Sequence, residues 1–295
     1  MGRGYHSEEI REKLIQTLAD SKSGMSGVEI AEALGINRAT MTKYLRVFAV
    51  EGLLHRKDVG NIILWSLEPG QESYDFPADY FKVAPIFLEF LLKYSEEGAC
   101  ALIRNCLHSG ASVEKLVTEV IVPAISSVEK SFDGGKMGSS EQRFIQNIIS
   151  RSLHILNHTL VESDPKKSII VMSADQASSP LSEAAATALR QTGWTVFHLG
   201  DMSSAVNVLF DLDFQKLLGK IAKQKSSTTT VLVFSNTEEG LNFFSDSIRS
   251  IKQKSKKSIK LVLCGKVGKK TKIEYDFMSA KFDDIIQWSK SVQHT

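Results

Sequence analysis

The chain has 295 residues, of which 42% are apolar and 24% are charged, and its formal net charge at pH 7 is +2. This length predicts roughly two or three buried cores, whereas the near-neutral charge says little about partners until it is resolved by segment. The three cysteines form no CxxC pair, which argues against a disulfide framework and against a zinc site.

The chain starts without the apolar run of a signal peptide, and no uninterrupted apolar segment approaches the roughly 20 residues of a membrane helix. We therefore expect a soluble, cytoplasmic protein that does not enter a membrane.

Residues 26 to 67 have the pattern of a helix-turn-helix followed by a two-stranded wing. The first helix is predicted at 26–34 and ends at Gly35, which suits a left-handed cap. Asn37 can cap a second helix at 38–51, and Gly52 ends it. Strands at 53–57 and 62–67, joined by turn residues 58–61, complete a winged helix that we assign to residues 1–70.

Basic residues are concentrated on this segment. Between residues 37 and 57 there are five basic residues against the single acid Glu51, a local balance of 5 − 1 = +4. A helix that enters the major groove needs base-reading side chains surrounded by phosphate contacts. The candidate residues for contact with double-stranded DNA are Asn37, Arg38, Thr40, Lys43, Tyr44, Arg46, Arg56 and Lys57. The alternative is a winged helix that docks another protein.

A helical bundle is predicted at residues 76–163, between linkers near 68–77 and 162–165. Its helices are expected at 80–95, at 98–109, at 112–132 with an interruption at Pro123, and at 139–160. Ser112 is an acceptable N-cap, and Ser139 or Ser140 can cap the last helix beside Glu141.

The hydrophobic period changes after Pro165. Short apolar strands alternate with helices, which indicates βαβ units and a Rossmann-like parallel α/β domain over 165–295. The strands are predicted at 168–173, 195–199, 229–234 and 259–264, and the helices at 181–192, 214–225, 241–255 and 283–292. The fold class is thus multidomain α/β: a winged helix-turn-helix, a helical bundle and a Rossmann-like domain. Ligands bind such sheets outside the carboxyl ends of the strands.

Residues 189–200 read Leu-Arg-Gln-Thr-Gly-Trp-Thr-Val-Phe-His-Leu-Gly. With a bundle ahead of a Rossmann-like module, this segment resembles the cobalamin-binding unit of methionine synthase and of the CarH/LitR light-sensing repressors, in which Leu-Arg-x-x-Gly-Trp precedes a strand ending in Leu-Gly. Residues 123–132 and the Gly-rich turn before Glu141 resemble the family's cap. The resemblance covers residues 80 to 295. A DNA-binding domain ahead of this pair is similar to the CarH order, although CarH has a MerR-type reader.

The resemblance also implies a ligand pocket. Ser235, Thr237 and Gly265 stand where the family's Ser-x-Thr and Gly-Gly loops line the pocket for the nucleotide tail. The cap tryptophan aligns with Phe132, and the cap Glu-His pair aligns with Glu141 and Gln142.

The family's cobalt-ligating histidine falls on Ser178. A serine hydroxyl is a weak cobalt ligand, and it lacks the neighbouring acid that supports an imidazole ligand. We therefore expect no cofactor bound in the family's manner, with base-on cobalamin or an unrelated small-molecule ligand as the alternatives.

Three further features have ordinary interpretations. His154 and His158 are spaced to share a helix face, but no third metal ligand is evident, so no metal site is expected. His198 is read as a packing residue. Residues 252–272 hold nine lysines and no acid before Glu274, which is typical of a solvated edge or of accessory phosphate contacts.

Two functions fit this sequence. The first is a transcription regulator whose bundle and Rossmann-like module form a sensor or oligomerisation unit, with a homo-oligomer matching operator half-sites. The second is a corrinoid-binding carrier or methyl-transfer accessory protein, in which the winged helix is a docking module. No Ser/His/Asp arrangement, phosphate loop or convergent carboxylate pair indicates an enzyme.

Overall fold

The computed structural model describes residues 7–19, 21, 24–60, 62–67, 74–159, 161–205, 210–222, 228–254, 258–266 and 273–292. The residues form two compact units, one of Met1–Asp79 with Ser95–Ala111 and one of Tyr80–Tyr94 with Ser112–Thr295. Within the described ranges, no helix combines the length and the apolar character needed to cross a membrane.

The elements are as follows in chain order. The helices are α1 (Ser7–Ala19), α2 (Gly27–Ala33), α3 (Arg38–Val50), α4 (Tyr80–Leu92), α5 (Glu96–His108), α6 (Val113–Lys115), α7 (Val122–Asp133), α8 (Ser139–Asn157), α9 (Ser179–Gln191), α10 (Phe210–Ala222), α11 (Glu238–Lys254) and α12 (Phe282–Ser291). The strands are β1 (Met25–Ser26), β2 (Leu54–Val59), β3 (Ile62–Leu67), β4 (Asp164–Ser173), β5 (Trp194–Asp201), β6 (Thr228–Phe234), β7 (Ser258–Cys264) and β8 (Phe277–Ser279).

The first unit contains the winged helix. Ser26 and Glu29 form a capping box at the start of α2, and Asn37 Oδ1 accepts the backbone N–H of Ala39 at 2.9 Å, as expected of the α3 cap. Gly35 follows α2 with positive φ, which confirms the predicted left-handed residue, and Gly52, which was predicted to end the second helix, also has positive φ.

The wing differs in length from the sequence prediction. The antiparallel sheet has the order β1-β3-β2, and β2 pairs with β3 from Leu54↔Leu67 to Val59↔Ile62. The strand predicted to end at Lys57 therefore continues to Val59. Asn61 of the predicted turn and the linker at 68–73 lie outside the described residues.

A helix that the sequence did not indicate completes this core. Ile10, Leu14 and Leu18 of α1 are buried at four-residue spacing, and they join Met41 and Phe48 in one apolar cluster. Four-residue spacing places side chains on one helix face, so α1 packs on the cluster through that face.

The second unit contains a five-stranded parallel sheet of order β5-β4-β6-β7-β8, which confirms the Rossmann-like prediction. Ile170 and Met172 pack in the cluster that includes residues of α10 and α11, whereas Ile169 and Val171 are buried outside that cluster. Successive side chains of a strand point to opposite faces, so helices cover this sheet on both sides. The edge strand β8 was not predicted.

Helices of the second unit differ from expectation in two places. Instead of a break at Pro123, a π-helical segment at Leu116–Ile121 leads directly into α7. Proline has no backbone N–H to donate, and the π-helical turn before it shifts the register of the backbone hydrogen bonds. The cap of α8 is Gly138, whose N–H donates to Glu141 Oε2 at 2.8 Å, rather than Ser139 or Ser140.

Gly265 provides a test of the packing at the carboxyl edge of this sheet. A Cβ there would lie 2.3 Å from the Ser235 carbonyl oxygen, so Gly265→Ala should lower the free energy of unfolding by roughly 1–3 kcal/mol. Gly219 in α10 has no neighbouring atom within 4 Å of its Cβ position, and Gly219→Ala should raise it by about 0.5–1 kcal/mol. Urea unfolding followed by circular dichroism compares both variants with the parent. Equal effects of the two substitutions would contradict the packing.

Candidate functional site

Helix α3 has two chemically different faces. Met41, Leu45 and Phe48 are buried at three- and four-residue spacing. Arg38, Lys43 and Arg46 are exposed, as the same periodicity requires of the intervening positions. Burial of the apolar stripe therefore fixes which side of α3 carries its cations.

Two of the predicted contact residues lie closer to the core than the cations do. The Tyr44 ring stacks on Phe48 with centroids 5.9 Å apart, and Tyr44 and Thr40 are only half-exposed. Asn37 is exposed, but its side-chain oxygen is engaged in capping α3. The outward face consequently consists mainly of Arg38, Lys43 and Arg46.

The wing adds two cations, of which Arg56 lines a groove together with residues of α3. Lys57 is exposed on β2, and Arg56 donates to Asp58 Oδ1 at 3.0 and 3.2 Å. Arg56 and Asp58 are both largely exposed, so breaking this ion pair costs little free energy.

A groove of about 500 Å³ lies between α3, the start of α2 and β3. Arg38, Arg46 and Arg56 line it together with Leu45 and Trp65. Arginines around a partly apolar floor match the phosphates and sugars of a nucleic-acid strand. The sequence did not indicate this groove, because it forms only when the wing folds back beside α3.

Apolar side chains also lie on the outward face of α3, which the sequence analysis did not use. Val47 is 49% exposed and Val50 is 90% exposed. Apolar groups on a groove-reading helix can contact the thymine methyl group.

In the second unit, Asp175 follows β4 and holds two loops together. Its carboxylate accepts hydrogen bonds from the N–H of Ser178 at 2.9 Å, from Ser235 Oγ at 2.8 Å and from the N–H of Asn236 at 2.8 Å. These loops leave the adjacent strands β4 and β6, whose connections run in opposite directions along the sheet. Asp175 thereby links the two loops that border the crevice in which open α/β sheets usually hold a ligand.

The residues of the implied nucleotide-tail pocket are engaged with each other. Thr237 N–H donates to Ser235 Oγ at 3.1 Å, and Thr237 Oγ1 accepts from Gly240 N–H at 3.2 Å. Gly265 packs so closely on Ser235 that no side chain fits between them. Ser178 is 1% exposed, and its hydroxyl has no hydrogen-bond partner among the described residues.

The residues that the resemblance assigns to the cap lie in different environments. Glu141 accepts hydrogen bonds from the Tyr94 hydroxyl and from Gly138 N–H, and these bonds lower the pKa of its carboxyl, the Tyr94 bond most. Phe132 is half-buried near the end of α7. Gln142 instead lines a cleft with Gln176 and Ala177.

The histidines belong to the packing between α8, α9 and β5. His154 Nε2 lies 3.7 Å from Glu183 Oε1, and His198 Nε2 lies 3.1 Å from Ser182 Oγ. Burial lowers the pKa of His198 to about 4, assisted by the charges of Arg190 and His154. Within the described ranges, no group of three His, Cys, Asp or Glu residues could hold a metal ion.

Five of the nine lysines in the predicted stretch lie outside the described residues: Lys256, Lys257, Lys269, Lys270 and Lys272. Of the lysines that are described there, Lys252 forms an ion pair with Asp276 at 2.7 Å. Lys252 therefore has a structural contact within the protein.

Comparison with known proteins places these features in context. Residues 13–58 match the IclR helix-turn-helix domain. The chain thus carries an IclR-type helix-turn-helix DNA-binding domain at its N-terminus. No curated protein matches the chain.

Solved corrinoid proteins resemble the chain in fold. The monomethylamine corrinoid protein of Methanosarcina barkeri is 16% identical with a TM-score of 0.55, over 72% of this chain and 99% of that one. A cobalamin-binding protein of Desulfitobacterium hafniense is 12% identical with a TM-score of 0.36, over 70% and 97%. The methanol:cobalamin methyltransferase complex of Methanosarcina barkeri is 13% identical with a TM-score of 0.36, over 85% and 93%. The first of these supports the fold of the second unit.

Glu129 is a carboxyl group that the sequence analysis did not single out. Its Oε1 is buried and has no hydrogen-bond partner among the described residues. Burial raises its pKa to about 7, and the charges of Asp133 and Asp175 act in the same direction.

Glu129 should therefore make stability depend on pH. Because its pKa is raised from 4.5 to about 7 in the folded chain, the folded state is favoured below pH 4.5 and loses that advantage as pH rises through 7. Glu129→Gln should leave the free energy of unfolding unchanged at pH 4 and raise it at pH 8 by about 1–2 kcal/mol, allowing for partial exposure. Urea unfolding at the two pH values measures this.

Glu119→Gln is the matched control, because this carboxylate is exposed on the neighbouring π-helical segment. A gain for Glu129→Gln that is the same at pH 4 and pH 8 would contradict the assignment.

Proposed function

We propose that the chain is a transcription regulator that binds double-stranded DNA through its winged helix and uses the bundle and sheet as a sensor and oligomerisation unit. The observation that carries this proposal is the outward cationic face of α3 in a domain of the IclR helix-turn-helix type. No catalytic role is proposed for the second unit.

The geometry of α3 suits the major groove. The helix has 13 residues, which corresponds to ~20 Å at a rise of about 1.5 Å per residue. Arg38 and Lys43 in its first half are placed to reach base edges, while Arg56 and Lys57 are placed to contact the phosphates beside the groove.

Self-association follows from the way such domains read DNA. One winged helix contacts one half-site, and two copies match a two-fold symmetric operator. A small molecule bound to the second unit can then change operator affinity by favouring one spacing of the two winged helices.

The fold of the second unit raises the question of a corrinoid, and its residues do not fit one held in the family's manner. The sequence resemblance aligns Ser178 with the cobalt-ligating histidine, and the Ser178 hydroxyl is buried at the start of α9. The Ser235, Thr237 and Gly265 region is closed by its own hydrogen bonds and packing. These observations disfavour the alternative of a corrinoid carrier with a docking winged helix.

The test of DNA binding uses a duplex selected by the full-length protein from a random-sequence pool. Lys43→Ala should weaken binding to this duplex by roughly 5- to 100-fold, because a lost base contact is worth about 1–3 kcal/mol. Lys57→Ala should weaken binding to selected and mixed-sequence duplexes alike and reduce the slope of log K against log salt by about 0.9. Fluorescence anisotropy at several salt concentrations measures both effects.

Lys93→Ala is the charge-matched control, since Lys93 directly follows α4 and pairs with Glu89 at 2.6 Å. The proposal fails if Lys43→Ala and Lys57→Ala bind as the parent does, or if Lys93→Ala is impaired to the same extent.

A further inference from the structure

One flank of α8 is polar although it faces another element of the same unit. The core-facing flank consists of Ile145, Ile148, Ile149, Leu153 and Leu156, all buried. The flank toward the loop after β4 consists of Ser139, Gln142, Arg143, Gln146, Asn147 and Ser150. Ser139, Arg143 and Asn147 are exposed and the other three are half-buried, so this flank borders a space that is open to water and that a polar ligand can enter.

That space is a cleft in two adjoining parts. One part of about 230 Å³ lies between α8, the start of α9 and the carboxyl end of β5. The other part of about 330 Å³ lies between the first turns of α8 and residues Gln176 and Ala177. Arg143, Gln146 and Gln176 line both parts, so the two form one cleft.

The side chains at the junction are free to bind. Arg143, Gln146, Asn147 and Gln176 make no side-chain hydrogen bond and no ion pair within the described part of the chain. A guanidinium flanked by amides offers a fork of donors that matches a carboxylate.

The opposite wall of the cleft is acidic. Asp201 is exposed at the end of β5, and its oxygens accept hydrogen bonds from the backbone and hydroxyl of Ser203. Glu183 Oε1 accepts a hydrogen bond from Ser150 Oγ at 2.8 Å. Each carboxylate keeps spare lone pairs, which suit the N–H donors of an ammonium group.

We propose that this cleft binds a zwitterion of amino-acid size, with its carboxylate at Arg143 and its ammonium at Asp201 and Glu183. The proposal deepens the proposed regulator function, on which it rests, by naming the class of signal. One wall carries a cation and the other carries two carboxylates, so a molecule with both an anionic and a cationic group can pair with both walls. Arg143, Asp201 and Glu183 all line the part of about 230 Å³. This volume lies below the ~300–1,000 Å³ typical of drug-sized ligands, which favours a small molecule over a corrinoid.

The test screens each proteinogenic α-amino acid against the full-length protein without DNA. A thermal-shift screen is followed by isothermal titration calorimetry of any amino acid that raises the melting temperature. The bound amino acid is then compared with the acid that lacks its amine and with the amine that lacks its carboxylate. Both analogues should bind at least about tenfold more weakly, because each leaves one charged group of the cleft without its partner.

Variants locate the site. Arg143→Gln and Asp201→Asn should each weaken binding about tenfold or more, while Lys136→Gln removes a charge outside the cleft and should leave it unchanged. The proposal is overturned if no amino acid binds, if the acid without its amine binds equally well, or if neither variant affects binding. Stoichiometric uptake of methylcobalamin, seen in its visible spectrum and lost in Arg143→Gln, would also overturn it.

The two proposals fail separately. Ligand binding is measured without DNA, so its absence overturns the cleft and leaves DNA binding by α3 unaffected. Conversely, absence of DNA binding overturns the regulator and leaves amino-acid binding as evidence for the cleft.

Discussion

The one-sided burial of α3 is the constraint on which the proposed function depends. Met41, Leu45 and Phe48 each gain roughly 1.5–3 kcal/mol when they leave water, and they do so only in a single rotation of the helix. That rotation places Arg38 and Lys43 in solvent. The same burial that stabilises the first unit therefore orients the cations that DNA binding requires.

The second unit shows how the residues at a ligand site can differ while the fold is kept. Asp175 joins the loop after β4 to the loop after β6 by two hydrogen bonds, from Ser235 and Asn236, at the carboxyl edge of the sheet. The open cleft lies between α8 and the carboxyl ends of β4 and β5, beside Gln142 and Ala177, and it is lined mainly by polar side chains. Fold likeness to corrinoid proteins therefore describes the scaffold of this unit, and its own residues determine what the scaffold binds.

Local signals predicted most of the architecture. Gly35 and Asn37 placed the turn of the helix-turn-helix, and alternating apolar strands and helices predicted the parallel sheet. The three-residue strand β8 was not predicted, because it is too short to show the alternation of apolar and polar residues; it lies at the edge of the sheet and pairs with β7.

Tertiary proximity explains what the sequence could not show about the sites. The groove beside α3 needs the wing to fold back, and the cleft beside α8 needs the loop after β4 to approach that helix. The role of Asp175 could not be predicted either, because an acid at the end of a strand serves as a turn residue as often as it binds a ligand. Two of its hydrogen bonds join residues about sixty positions apart.

Lysine footprinting tests the central claim most directly. The full-length protein is acetylated with and without saturating selected duplex, and the modified lysines are quantified by mass spectrometry. We expect DNA to protect Lys43 and Lys57 while leaving Lys93 and Lys216 as reactive as in the free protein. Unchanged reactivity of Lys43 and Lys57 in a protein that has bound the duplex would show that another surface holds the DNA, and would contradict the account.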